Sequence, residues 1–199
     1  MRWKKAMSCQ NSCLLFLLPK HPEEAASGRF WGEKDEDIES FLHNRAIEFE
    51  KLSKARTYLV LNQEQLENKE KHLTIYGYIS LALKILSVPQ DMSNRMRKEL
   101  DGFSAKIHGE QISDFPCYLI GQLSKNSNVK SEGISGKQLI DFASDIIATS
   151  VEAVGGRYMM IECRDEEKLI QFYKDNYFSE VARIPDENQP MVQMIRKID

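Results

Sequence analysis

The sequence predicts a mixed α/β fold: a mostly antiparallel sheet with flanking helices and one parallel crossover. Three observations point to it. Runs rich in β-branched and aromatic residues recur at 56–61, 73–83, 117–123, 158–163 and 191–198. A long helical pattern at 135–154 stands between two of these runs, so the strands on either side of it run parallel. Elsewhere polar loops or short helical stretches join the runs, as an otherwise antiparallel sheet allows.

Taken in order, residues 1–35 read as an N-terminal extension and linker, and 36–199 as one domain. Arg2, Lys4 and Lys5 precede the apolar run 13–18, which superficially resembles a signal peptide. That run is too short for a secretory core or a membrane span, and Pro19 ends it without a small-residue cleavage site. The expectation is a cytoplasmic chain with no membrane contact, its first run being an extension or an edge strand. Pro19, Pro22, Gly28 and Gly32 punctuate a polar linker. From Asp37 to Ser53, the residues Ile38, Phe41, Leu42, Phe49 and Leu52 share a helical face. The runs at 56–61 and 73–83, joined by a charged loop, read as a hairpin.

Residues 84–112 read as an insertion between strands, in which Pro89 breaks the preceding strand and Asp91 caps a short helix that carries Met92, Met96 and Leu100. The strand 117–123 and a polar loop lead to the helix 135–154. There Leu139, Ala143, Ile146, Ile147, Ser150 and Val154 form one face. Ser135 and Gln138 have the spacing of a capping box, and Gly155-Gly156 supplies the stop. A second short helix, capped by Asp165 and carrying Leu169, Phe172 and Tyr173, follows the strand 158–163.

Composition excludes several classes. A net charge of -3 gives no global attraction to nucleic acid or to an anionic membrane, so such contacts need a local patch. Arg95, Arg97, Lys98 and Lys106 could form one in the insertion, with a solvated helix face as the alternative. Cys9 and Cys13 have no partnering pair, and Cys117 and Cys163 read as buried small hydrophobes, so no metal or disulfide framework is expected.

Two features could carry chemistry. The loop 124–134 and the start of the following helix contain Gly133 and Gly136, with Lys125, Lys130 and Lys137 around them. A helix start offers unpaired N–H groups and a positive dipole end to phosphate, and glycine lets the backbone come close. The second feature is Phe172-Tyr173 with Tyr177-Phe178 beyond it. A phenol there could donate a proton, or it could be a core aromatic.

Together these residues resemble the GNAT superfamily of N-acetyltransferases. Lys130-Ser131-Glu132-Gly133-Ile134-Ser135, then Gly136, is similar to the family's acetyl-CoA signature. Leu119 to Leu123 looks like its fourth strand, and the Phe172-Tyr173 segment like its pattern after the fifth. Phe30-Trp31-Gly32, Phe41-Leu42 and Arg56-Thr57-Tyr58 are similar to a toxin-type subgroup, some of whose members acetylate aminoacyl-tRNA. The resemblance implies acetyl-CoA as co-substrate, bound by Gln122, Leu123, Lys130, Glu132, Gly133, Ser135, Gly136 and Lys137. It makes Tyr173 the general acid and a primary amine on a small molecule, protein or aminoacyl-tRNA the acceptor; a homodimer is allowed.

A backbone N–H near Leu123 would polarise the thioester. Asp114 and Glu110 are the carboxylates nearest by sequence for a general base, with solvated loop carboxylates as the alternative. Lys130, Glu132, Ser135, Leu169 and Tyr177 depart from the family pattern. The first three favour the competing reading, a catalytically weak acyl-CoA-binding or regulatory module with the same fold.

Overall fold

The computed structural model describes residues 5–8, 13–17, 36–68, 70, 73–129 and 134–198. The fold is mixed α/β, with a mostly antiparallel sheet and one parallel pair. The chain divides into two compact units, 1–82 with 120–146 and 83–119 with 147–199.

Unit 1 holds β1 (Lys5–Ser8), β2 (Cys13–Leu17), α1 (Glu36–Asn44), α2 (Ala46–Lys51), β3 (Arg56–Asn62) and α3 (Gln63–Glu67). It also takes the first part of β4 (Ile75–Ser87), the end of β7 (Asp114–Lys125) and the start of α5 (Gly136–Val154). Its strand order is β1-β2-β3-β4-β7. The helix expected over 37–53 is two helices, because Arg45 leaves helical geometry at φ -123°. Ile38, Phe41, Leu42 and Ala46 still face Leu59, Leu61, Ile75 and Tyr78, so the apolar stripe survives the break. The charged stretch after β3 contains α3, which periodicity does not reveal. Asn62 starts it by accepting the Gln65 N–H at 3.0 Å.

The Arg56-Thr57 segment proves to be a lock between α2 and β3. The buried Glu50 carboxylate accepts the Thr57 N–H at 2.6 Å and the Arg56 guanidinium at 2.8 Å. The Thr57 hydroxyl then bonds Ser80 across the β3–β4 ladder at 3.2 Å.

Unit 2 holds the rest of β4 and β7, then α4 (Asn94–Asp101), β5 (Lys106–Ile107), β6 (Glu110–Gln111) and the end of α5. β8 (Tyr158–Arg164), α6 (Glu167–Asp175), β9 (Ser179–Ile184) and β10 (Met191–Lys197) complete it. Here the order is β4-β7-β8-β10-β9, with β10 antiparallel to both neighbours. Leu86, Leu100, Phe115, Tyr158, Met160 and Ile195 are in its core.

Three expectations are corrected in this unit. β4 runs to Ser87, so residues 84–87 belong to the sheet and only the chain beyond Pro89 departs from it. α4 is capped by Ser93, whose hydroxyl accepts the Met96 N–H at 3.3 Å, and not by Asp91. Glu166 stands at the start of α6, because the Asp165 carboxylate is taken by two bonds from Arg183 at 2.7 and 2.8 Å.

Arg97 also leaves the expected basic patch. It is 2% exposed, and its guanidinium donates to the carbonyls of Met92, Pro89, Gln90 and Ile112. It ties the insertion together from inside, while Arg95, Lys98 and Lys106 stay on the surface. Among the described residues no helix is long and apolar enough to cross a membrane.

Tyr177 sits at φ +68°, the left-handed region that favours glycine. Its ring is exposed and meets the Arg196 guanidinium at 5.8 Å. Relief of that backbone cost exceeds the entropy glycine adds to the unfolded chain, so Tyr177→Gly should raise stability by about 0.5–1 kcal/mol. A denaturation midpoint unchanged or lowered would mean that the Arg196 contact outweighs the strain.

Candidate functional site

In unit 1, the end of β7 and the start of α5 are built with little freedom. Buried Asn126 ends the strand: its N–H donates to Tyr76 O and its side-chain amide to Ile75 O, both at 2.8 Å. Its own amide oxygen accepts the Asn128 N–H at 3.1 Å, so the loop leaves the sheet from a fixed point. Ile134 is buried at the far end of the loop. Lys130, Glu132 and Gly133 lie outside the described residues.

Ser135 begins α5 as its pattern predicts. Its hydroxyl accepts the Gln138 N–H at 3.1 Å, and the Gln138 side-chain oxygen accepts the Ser135 N–H at 2.8 Å. The N–H groups of Gly136 and Lys137 have no acceptor among the described residues, and the dipole end adds positive potential beside them. Lys137 points its charge along the helix, bonding both Asp141 oxygens at 2.7 and 3.0 Å.

Gly77 of β4 explains how closely these elements meet. A Cβ there would stand 2.8 Å from the Ser124 carbonyl oxygen and 3.5 Å from both Leu139 methyl carbons. Only glycine lets β4, the end of β7 and the first turn of α5 close together. On β7, Gln122 and Leu123 are half-buried. The Gln122 side-chain oxygen lies 3.5 Å from the Tyr78 hydroxyl, which itself donates to Ile38 O at 2.6 Å. Gly77, Tyr78 and Asn126 were missed by sequence reasoning. Their signals are a glycine within a strand and a polar residue at a strand end.

In unit 2, Tyr173 is 8% exposed, its ring meeting Phe172 and Phe178 edge-on with centroids at 5.1 and 5.7 Å. Asn176 fixes the helix end behind it, donating to Phe172 O at 2.8 Å, and the Phe178 N–H returns to Tyr173 O at 3.0 Å. Burial first, and then the neighbouring Cys163 thiol, push the phenol above its ordinary value, so it stays protonated. Burial also pushes the Cys117 and Cys163 thiols up to about 11, which makes both poor nucleophiles at neutral pH. Asp114 and Glu110 are exposed, and Asp114 is bonded by the Ser113 hydroxyl at 2.8 Å.

The helix start can hold an anion through backbone donors, and the phenol can donate a proton. The first belongs to unit 1 and the second to unit 2.

No protein-family model matches the chain, and no curated protein matches it in sequence. Solved structures match its fold. A tyrosine-to-phenylalanine variant of the AtaT toxin, bound to the C-terminus of the antitoxin AtaR and acetyl-CoA, is 15% identical, with 94% of each chain covered and a TM-score of 0.63. A tyrosine-to-phenylalanine variant of KacT is 16% identical over 92% of this chain and 94% of that one, with a TM-score of 0.67. AtaT complexed with acetyl-methionyl-tRNAfMet is 17% identical over 90% of this chain and 93% of that one, at 0.65. At these identities the likeness establishes the fold, which is the GNAT fold that the sequence resembles.

Proposed function

We propose that this chain, built on the fold of the AtaT and KacT toxins, is an N-acetyltransferase that moves the acetyl group of acetyl-CoA to a primary amine. The observation that carries the reading is the start of α5, where Ser135 and Gln138 cap each other and two N–H groups are left without acceptors among the described residues. An anion of the size and charge of a pyrophosphate fits such an end. Ser135, Gly136 and Lys137, with Lys130, Glu132 and Gly133 of the loop, would hold it. Gln122 and Leu123 would meet the pantetheine arm with their backbone. Acetyl-CoA supplies an activated acyl group.

In this reading the chain orients the amine for direct attack, and a backbone N–H near Leu123 takes up charge on the thioester oxygen. The new bond joins nitrogen to the acetyl carbon. The bond to sulfur breaks, and Tyr173 gives its proton to the departing thiolate. Acetyl-CoA bound to AtaT and the acetyl-methionyl-tRNA complex of AtaT support the donor and the acceptor class. An amine on a small molecule or a protein fits the same chemistry.

The substitutions at Lys130, Glu132 and Ser135 favour the second reading, a weakly catalytic acyl-CoA-binding or regulatory module. Thiol release from acetyl-CoA, followed over a panel of amines and aminoacyl-tRNAs, separates the two. Amine-dependent release supports the transferase. Acetyl-CoA binding with no release for any acceptor supports the module.

A further inference from the structure

We infer that α4 and the ends of β8 and β10 form a landing surface for an unpaired nucleic-acid strand, whose phosphates enter a cationic pocket and one of whose bases stacks on Phe103. Unit 2 alone carries this surface, and it stands without the transferase reading.

The pocket opens between Arg95, Lys98 and Glu99 of α4, Arg157 and Tyr158 where β8 begins, and Lys197 where β10 ends. Four cations against one carboxylate make it positive in a chain whose net charge is -3. It differs from the patch that the sequence suggested, because Arg97 has turned inward while Arg157 and Lys197 arrive from elsewhere in the unit. Arg95, Lys98 and Lys197 make no ion pair among the described residues, whereas Arg183 takes both Asp165 and Glu180 at 2.7 Å. Like charges gathered from three elements repel one another, and an anion between them relieves that repulsion.

Arg157 fixes the floor. Its Nε donates to Leu100 O at 3.0 Å and its Nη2 to Glu99 O at 3.4 Å, while the Tyr158 hydroxyl donates to Glu99 O at 3.2 Å. A cation thereby covers the negative dipole end of α4, which would otherwise repel phosphate. The Arg157 Nη1 has no acceptor among the described residues and is left for a ligand. Gly102 makes room for it: the residue ends α4 at φ +87°, and a Cβ there would stand 2.5 Å from that nitrogen.

The next residue is Phe103, which is 86% exposed. Its backbone is pinned, because the Asp101 carboxylate accepts the N–H groups of Phe103 at 3.2 Å and Ser104 at 2.8 Å. A ring held in water beside unpaired cations suits a single strand, in which every base has a free face to stack and every linkage a charge. A duplex offers the charge without the face. Phe103 and the exposed Ile107 alone would suit a protein, and the cations favour a polyanion.

The test uses the full chain and fluorescein-labelled uridylate strands of about twelve nucleotides, as RNA and in the deoxy form, followed by anisotropy from about 50 to 300 mM KCl. Log affinity should fall against log salt with a slope of about -2 to -3, roughly 0.7 for each of three or four phosphates. Lys98→Gln and Lys197→Gln should each remove about 0.7 from that slope and weaken binding about eightfold at the lowest salt. Phe103→Ala should weaken binding about fivefold or more with the slope unchanged, and Phe103→Tyr should keep native affinity. An RNA duplex of the same length should not respond to Phe103→Ala. Lys98, Lys197 and Phe103 are exposed, so these variants keep the fold.

Tighter binding of one strand type names RNA or DNA as the ligand, equal binding names any unpaired strand, and each of these results supports the surface. Absence of saturable binding, or a salt slope unmoved by both lysine variants, would overturn it. Unchanged affinity in Phe103→Ala would also overturn it, leaving a cation patch beside an apolar surface for a protein.

Discussion

Replacing Tyr173 by phenylalanine should lower turnover about 10²–10⁴-fold while acetyl-CoA affinity changes by less than about twofold. The ring contacts with Phe172 and Phe178 survive this change, because only the hydroxyl is lost. The pH dependence gives a second check. Burial and Cys163 raise the phenol above its ordinary value, so Tyr173 remains protonated at every pH below about 10. An alkaline fall in rate below that pH would belong to another group and should persist in the variant. Near-normal turnover of Tyr173→Phe at saturating acetyl-CoA would leave the residue as a packed aromatic.

Gly136→Glu should weaken acetyl-CoA binding about 10²-fold or more without unfolding the chain. The position follows the Ser135 cap, where a carboxylate interacts favourably with the helix dipole and the fold tolerates it. The same carboxylate would stand beside the N–H groups of Gly136 and Lys137, which have no acceptor among the described residues, and repel a pyrophosphate. Like charges about 4 Å apart at an effective dielectric near 20 cost on the order of 4 kcal/mol, enough for such a loss. Unchanged affinity in a folded variant would move the anion away from the start of α5.

The parts of this fold legible in the sequence are those set by local chemistry. Ser135 and Gln138 announce their box because each satisfies the other three residues away, and the long stripe of α5 fixes the crossover. Other features depend on partners far along the chain. Asp165 has the chemistry of a cap, yet Arg183 claims it. Arg97 looks like a surface charge until Pro89, Gln90, Met92 and Ile112 turn their carbonyls toward it. β9 has no clean alternation of buried and exposed residues: it is an edge strand whose Val181 packs against the core of unit 2, and it is held in the sheet by pairing with β10. In the candidate site, Ser135, Gly136 and Tyr173 could be found from motifs. Gly77 and Asn126 could not, since their roles arise only where β4, β7 and α5 meet.

The proposed transfer to an amine depends on acetyl-CoA binding through the start of α5. Calorimetric titration of the native chain with acetyl-CoA, set beside the same titration with dephosphorylated pantetheine thioester, tests it most directly. Acetyl-CoA should bind saturably at one site, and the phosphate-free thioester should bind more weakly by about 10²-fold or more, because backbone N–H groups and the helix dipole act on the phosphates. Equal affinity for the two, or no binding of acetyl-CoA, would contradict it.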